Sequence, residues 1–270
     1  MILILLPAYN EARALLALLP KIKRTLESLD TAYTVVVCND GSRDGTKPLL
    51  EMFAAQMPLH VLDHKINRGL GETIRDLFEY AADLSGPNDV IVRMDADDTH
   101  DPDVIPSLIA KLDQGFDVVT ASRFLPGGGQ QGVSPGRAFI SYGANRFMKL
   151  FFPIKAVNEY SCGFRGYRAG IIKQAIDLYG NSFIQLKDFG FAGTLEKFVK
   201  LQLLGARFGE VPFVLRYDQK VGASKMVAGK TILGYLIMLL GYYWPWGGWK
   251  RSRRNSQPEN RNPQHATRNT

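Results

Sequence analysis

VIVRMDADDTH, Val90 to His100, carries the signal of a buried strand that ends in an acidic turn. Val90, Ile91 and Val92 are β-branched, and such side chains suit a pleated surface covered on both faces. Asp95, Asp97 and Asp98 follow at the strand's C-terminal end, where open α/β sheets hold their ligands. Like charges crowded into one turn repel unless a cation neutralises them. Asp95 and Asp97, separated by Ala96, can converge on one hard divalent ion. A plainer reading makes the acids a cap for a helix that Asp103 begins. The rest of the chain has to decide between the two.

Upstream, the same strand-then-turn unit recurs. Ile2 to Leu6 reads as a buried strand leaving through PAYNEA, Pro7 to Ala12, with Asn10 placed to cap the next helix. That helix shows in Leu15, Leu18, Leu19, Ile22 and Leu26. Tyr33 to Cys38 forms a second strand, ended by the turn residues NDGSRDGT, Asn39 to Thr46. A helix over Lys47 to Gln56 and a strand over Leu59 to Leu62 follow. NRGLGETIRDLFEYAADL, Asn67 to Leu84, opens with Gly69 and Gly71 and continues as an amphipathic helix. It lacks the third glycine and the later acid of a dinucleotide fingerprint, yet its glycines suit a helix N-terminus approaching a phosphate. Downstream come a helix over Asp103 to Leu112 and a strand over Asp117 to Ser122. This alternation predicts an α/β fold with a mostly parallel sheet between helical layers.

Arg123 to Gly136, rich in Gly, Pro and Gln, reads as a mobile surface loop. A basic and aromatic helix over Arg137 to Leu150 follows, then an extended segment, Cys162 to Tyr167, and a helix from Ala169. Gly193 to Leu204 reads as a helix stopped by Gly205, Arg207 to Leu215 as a strand, and Arg216 to Lys225 as a basic loop. Thr231 to Trp249 has no charge and no polar face. Its densest part is shorter than a spanning helix needs, and Tyr242, Tyr243, Trp244, Trp246 and Trp249 cluster as interfacial aromatics do. It reads as an interfacial anchor first, a short spanning helix second, and a helix packed on the domain third. The organisation is therefore a domain over 1–229, a hydrophobic, membrane-associated helix over 230–250 and a basic, disordered tail over 251–270.

The 270 residues suffice for one full core. The net charge of +7 is uneven, with four cations in Lys250–Arg254. Beside the aromatic helix, that run favours an anionic membrane surface over nucleic acid as its partner. Cys38 and Cys162 have no zinc-ligand spacing and read as reduced thiols. MILILLPAYNE lacks the basic start of a signal peptide.

PAYNE, Asn39-Asp40-Gly41-Ser42, NRGLG, DADDTH and Ser122-Arg123, in this order within an α/β frame, resemble the inverting family 2 glycosyltransferases with the nucleotide-sugar-binding GT-A fold. Gly127 to Gly129, CGFRGYR (Cys162 to Arg168), EVPF and GASK narrow the likeness to the dolichol- and polyprenyl-phosphate mannosyltransferases. It covers about Met1 to Gly241; each motif is weak alone, and the ordered set is specific.

The resemblance implies a donor pocket lined by Pro7, Tyr9, Glu11, Val37, Asn39 and Asp40. Asn39 stands where the family usually has an acid, which leaves the base preference open. Asp95 and Asp97 would hold Mg²⁺ or Mn²⁺ against the donor diphosphate, with Thr99 as a weaker third ligand and Asp98 outside the site. Arg123 and Arg137 would face donor and acceptor phosphates, and Lys225 matches the lysine of the family's GxSK loop. Gln219 replaces a common arginine, with Arg216 and Lys220 as the nearby cations. Glu196 matches an acidic position suited to a general base, with Asp188 as competitor; a lipid phosphate acceptor would need neither.

The implied reaction moves a sugar, mannose as first choice, from GDP-mannose or a UDP-sugar to a polyprenyl or dolichyl phosphate with inversion. The implied place is the cytoplasmic face of a membrane, as a peripheral, monotopic enzyme. Two alternatives stand beside it: the same fold acting on a saccharide or other hydroxyl, and an inactive nucleotide-sugar-binding protein. The departures at Asn39, Thr99 and Gln219 are what favours the inactive reading.

Overall fold

Every residue of Ile2–Ala8 (β1) is buried, as expected of an apolar strand with neighbours on both edges. The computed structural model describes residues 1–189, 192–220 and 228–246. After β1 come α1 (Ala12–Glu27), β2 (Tyr33–Asn39), α2 (Thr46–Ala54), β3 (Leu59–Asp63), α3 (Leu70–Leu84) and β4 (Val90–Arg93). A 3-10 turn, Pro102–Val104, leads into α4 (Ile105–Asp113), followed by β5 (Val118–Ser122), β6 (Gly129–Gln131) and α5 (Pro135–Phe151). The described chain closes with β7 (Arg165–Arg168), α6 (Ala169–Tyr179), α7 (Ala192–Leu203), β8 (Phe208–Pro212), β9 (Val214–Arg216) and α8 (Ala228–Trp246).

Seven strands form one sheet in the order β3-β2-β1-β4-β7-β5-β8. All pairs are parallel except those of β7, which runs antiparallel to β4 and to β5. Alternate β1 side chains feed opposite cores, as period-two geometry requires. Ile2, Ile4 and Leu6 pack with α1 and α4, and Leu3 and Leu5 with α3, α6 and α7. The predicted three-layer arrangement is therefore present.

Asn10 does not cap α1. It adopts the left-handed conformation (φ 52°), and its Oδ1 accepts from the Arg43 amide at 2.8 Å. The amides opening α1 are instead bound from the next turn: Ser42 Oγ accepts from Asn10, Thr46 Oγ1 from Glu11 and Asp44 Oδ2 from Ala12. This lacing fixes the turns after β1 and β2 as one unit at the sheet's C-terminal edge.

The expected Arg123–Gly136 loop contains a strand. The segment read as one strand over Arg207 to Leu215 breaks at Phe213, whose amide donates to Ser122 while its carbonyl accepts from Gly129. Beyond the break, β9 pairs in parallel with β6 and holds the loop beside the site. Three residues of GQQ carry no strand signal of their own, so only this pairing reveals β6.

One face of α8 packs on the domain through Met238 and Tyr243, and Gly234 makes the close approach possible. A Cβ at Gly234 would lie 2.5 Å from Ala192 Cβ and 2.6 Å from Phe189 Cβ. The opposite face exposes Ile232, Leu233, Leu236 and Leu240. Among the described residues no helix is long and apolar enough to cross a membrane. Lys225 with its GASK loop, Trp249 and the basic run and tail of 250–270 lie outside the described residues.

Candidate active site

The turns after β1, β2 and β3 enclose a cavity of about 450 Å³, lined among others by Tyr9, Asn39, Ser42, Arg43, Lys47 and Asp63. Pro7 and Val37 are buried in β1 and β2, where they set the strands that carry Tyr9 and Asn39 to the rim. Glu11 sits at the base of α1, its amide bound by Thr46. Asn39 is buried; its Nδ2 donates to Asp63 Oδ1 at 2.7 Å and its Oδ1 accepts from the Ser42 amide at 3.3 Å.

Asp40 is also buried, and its carboxylate accepts from the amides of Arg68 (2.8 Å) and Gly69 (2.9 Å). His64 Nδ1 lies 2.7 Å from the same carboxylate. The NRGLG amides expected to meet a phosphate thus already hold a protein anion, and Gly71 serves another purpose. A Cβ there would overlap the backbone of Lys187, so Gly71 lets α3 pack against that segment.

At the end of β4, Asp95 is about a third exposed. Its Oδ1 meets buried Arg93 at 2.5 Å, and its amide donates to His100 Nδ1 at 3.0 Å. Because Nδ1 accepts, the His100 proton belongs on Nε2, which lies 3.6 Å from Asp95 Oδ2. The ring stacks on Phe164 at 5.1 Å, and burial lowers its pKa, so it is neutral at neutral pH. Gly163 makes room for Arg93, since a Cβ there would overlap the guanidinium.

Asp97 is held by Lys220 Nζ at Oδ2 and by the Thr99 hydroxyl at Oδ1, 2.6 Å. Burial works to raise its carboxyl, but the Lys220 ammonium, with the Thr99 hydrogen bond, brings it below the ordinary carboxylate range. Thr99 is itself fixed by the Arg216 amide on its carbonyl, 3.0 Å. Asp98, in the left-handed conformation, turns away to Lys21 of α1 at 2.8 Å. That pair ties the turn to α1.

No group of three or more His, Cys, Asp or Glu side chains gathers as a metal cage among the described residues. The donor set at the turn is two carboxylates with one hydroxyl beside them. Such hard oxygens fit Mg²⁺ or Mn²⁺ when substrate phosphates and water complete the shell. Arg93 pairs with Asp95 and Lys220 with Asp97, so each carboxylate has a cation beside it.

Arg123, expected to face a substrate phosphate, lies beneath the loop that follows it and is engaged by protein groups. It forms a bidentate pair with fully buried Glu159 (2.7 and 3.0 Å) and donates further to Gln130, Ser141 and Ser161. Burial opposes ionisation of Glu159, but Arg123 and Ser161 hold its carboxyl below the usual range. Arg137, near the start of α5, meets the Tyr217 hydroxyl and lies 5.0 Å from that ring's centre. Arg216 is engaged by Asp218 at 2.8 Å. Of the cations near Gln219, Lys220 is the one that reaches the acidic turn.

Glu196 is fully buried on α7. It accepts from the Leu186 amide (2.8 Å), pairs with Lys200 (2.6 Å) and receives the Tyr242 hydroxyl of α8 (2.5 Å). Asp188 is exposed. Burial pushes both cysteine thiols up to about 12, so neither is a nucleophile at neutral pH. Sequence reasoning missed Arg93, His100, Glu159 and Asp63. Arg93 had a visible signal, a charge directly after a β-branched run. Glu159 and Asp63 had none, because their partners lie 36 and 24 residues away in sequence.

The glycosyl transferase family 2 model matches residues 3–175, which include every strand of the pocket and the acidic turn. The chain belongs to glycosyl transferase family 2. It is 31% identical over 229 residues to an undecaprenyl-phosphate mannosyltransferase of Micrococcus luteus, covering 84% of this chain and 88% of that protein. A dolichol-phosphate mannosyltransferase of Pyrococcus furiosus is 30% identical over 86% of this chain and 61% of its own length. Among solved structures, a glucosyl-3-phosphoglycerate synthase of Mycobacterium tuberculosis with Mn²⁺ and UDP superposes with a TM-score of 0.60. At 17% identity, over 90% of this chain and 79% of the other, that likeness speaks for the GT-A fold alone. This family 2 glycosyltransferase therefore has the fold and family that its motifs imply.

Proposed function

We propose that this glycosyltransferase moves a mannosyl group from a nucleoside diphosphate donor to a polyprenyl phosphate at a membrane surface, inverting the anomeric carbon. The observation that carries the reading is the near full-length similarity to a polyprenyl-phosphate mannosyltransferase. The cavity bounded by Tyr9, Asn39 and Asp63 suits the nucleoside. The diphosphate then lies toward Asp95, Asp97 and Lys220. A divalent ion bound by Asp95 and Asp97 would neutralise charge growing on the departing diphosphate. Lys220, paired with Asp97, supplies a fixed cation at the same place. Arg123 braces the loop that faces the acceptor from beneath, and Arg137 stands at its far end.

A lipid phosphate is largely dianionic at neutral pH, its second pKa being near 6, and it attacks without a general base. The burial of Glu196 beneath α8 favours this base-free route, because its oxygens are already bound by Lys200, Tyr242 and Leu186. The exposed apolar faces of α5 (Phe139, Ile140, Tyr142) and α8 (Leu236, Leu240) support contact with lipid. Neither helix contains an acidic residue, and Arg146 and Lys149 of α5 are exposed, which suits an anionic bilayer.

The test is nucleoside diphosphate release from GDP-mannose and from UDP-sugars, with vesicles of defined composition. Release that rises only when polyprenyl phosphate is in the vesicles is the expected result. Release driven by soluble sugar hydroxyls and indifferent to the lipid phosphate would overturn it.

A further inference from the structure

Strand register sets Asp63 directly beside Asn39, at the C-terminal ends of β3 and β2. Asn39 occupies the position where an acid was expected, and Asp63 returns a carboxylate to the same cavity wall. Asp63 Oδ1 accepts from Asn39 Nδ2 at 2.7 Å and Oδ2 from Lys47 Nζ at 2.6 Å. Its side chain is still about a third exposed on the cavity side. Lys47, then Asn39, hold the Asp63 carboxyl below its usual range against the effect of burial, so the group is an anion at neutral pH.

An ionised carboxylate only accepts hydrogen bonds, whereas an amide nitrogen and an ammonium only donate. Asn39 Nδ2 keeps one N–H beyond the one given to Asp63, and Lys47 keeps two. The wall therefore presents an acceptor between donors. We propose that Asp63, positioned by Asn39 and Lys47, selects the donor's base by accepting from a ring N–H that sits next to a carbonyl. Guanine (N1–H beside O6) and uracil (N3–H between O2 and O4) carry that pattern. Adenine and cytosine carry an unprotonated ring nitrogen there, which would face the carboxylate lone pair to lone pair. The inference rests on the proposed nucleoside diphosphate donor and adds the residue that discriminates between bases.

Calorimetric titration of the full chain with GDP, UDP, ADP and CDP at fixed Mn²⁺ tests it. GDP or UDP should bind at least about tenfold more tightly than ADP and CDP, since a site built to hydrogen-bond a ring N–H rejects a base that lacks it. The tighter of the two identifies the base. Asp63→Asn should reduce that ratio to within about threefold, because the amide can turn either edge to the base. The exchange Asn39→Asp with Asp63→Asn keeps the pair and returns the carboxylate to the wall, and should restore the preference. A thermal melt of each variant shows that it is folded. Equal affinity for all four nucleotides, an unchanged ratio in folded Asp63→Asn, or no recovery in the folded exchange variant would each overturn the assignment. If no nucleoside diphosphate binds, the donor reading itself falls; selective binding that ignores Asp63 removes only the present inference.

Discussion

Asp97 joins two segments of the site, since its two oxygens are held by Thr99 of its own turn and by Lys220 beyond β9. Replacing it with Ala removes a carboxylate that Asp95 cannot supply alone. Asp97→Ala should lose turnover by at least about a hundredfold, within the range seen when one electrostatic stabiliser is removed, while circular dichroism stays unchanged. Undiminished, Mn²⁺-stimulated turnover would remove Asp97 from the account. Glu159 carries a stability prediction. Glu159→Gln leaves the Arg123 guanidinium buried without its counter-ion and should cost about 3–5 kcal/mol in a urea melt. The folded Glu159 carboxyl is depressed, so its contribution is fully present above the ordinary glutamate value near 4.3 and is lost as pH falls through the folded value below it. The stability gap between the wild-type protein and Glu159→Gln should therefore shrink below about pH 4. At this scale the acids of DADDTH were legible because close like charges on a strand end demand an explanation. Glu159, Asp63 and the true setting of Glu196 were not, because each is defined by a partner brought in by the fold.

Helix α8 was read as an anchor because it lacks a polar face, and the structure shows how such a helix is shared between two environments. Gly234, Met238 and Tyr243 face the domain, and Leu236 and Leu240 do not. Gly234→Val would force the helix off Ala192 and Phe189 and should destabilise the protein by about 1–3 kcal/mol, the range for overpacking a close contact. An unchanged melting temperature would show that α8 is not docked there. Leu240→Asp combined with Phe139→Asp should leave the fold intact and reduce flotation with anionic vesicles several-fold, since an exposed apolar face drives interfacial binding. Flotation equal to wild type would place the lipid contact elsewhere. Helices with a strong 3.6-residue pattern, such as α1 and α3, were legible almost to their ends. The capping of α1 by Asp44 and Thr46, and the β6–β9 pair, were not, because they are contacts between segments distant in sequence.

Across the whole molecule, alternating strands and helices already implied a parallel sheet with helices on both faces. The one antiparallel strand, β7, did not show, because strand direction is set by the route the chain takes and leaves no mark in so short a segment. That strand matters to the site. Inserted between β4 and β5, it places Arg165 and, just before it, Gly163 and Phe164 against Arg93 and His100, behind the acidic turn. Sheet, turns and the β6–β9 flap thus gather the cavity, the two carboxylates and the basic side chains on one edge, with α5 and α8 exposing apolar surface. The most direct measurement of what this arrangement does is the fate of labelled sugar. Protein, Mn²⁺, labelled nucleotide sugar and vesicles holding polyprenyl phosphate should give label that extracts into organic solvent and is released by mild acid, with the anomeric configuration inverted. Label recovered only in water-soluble product would contradict the lipid-phosphate acceptor on which the account rests.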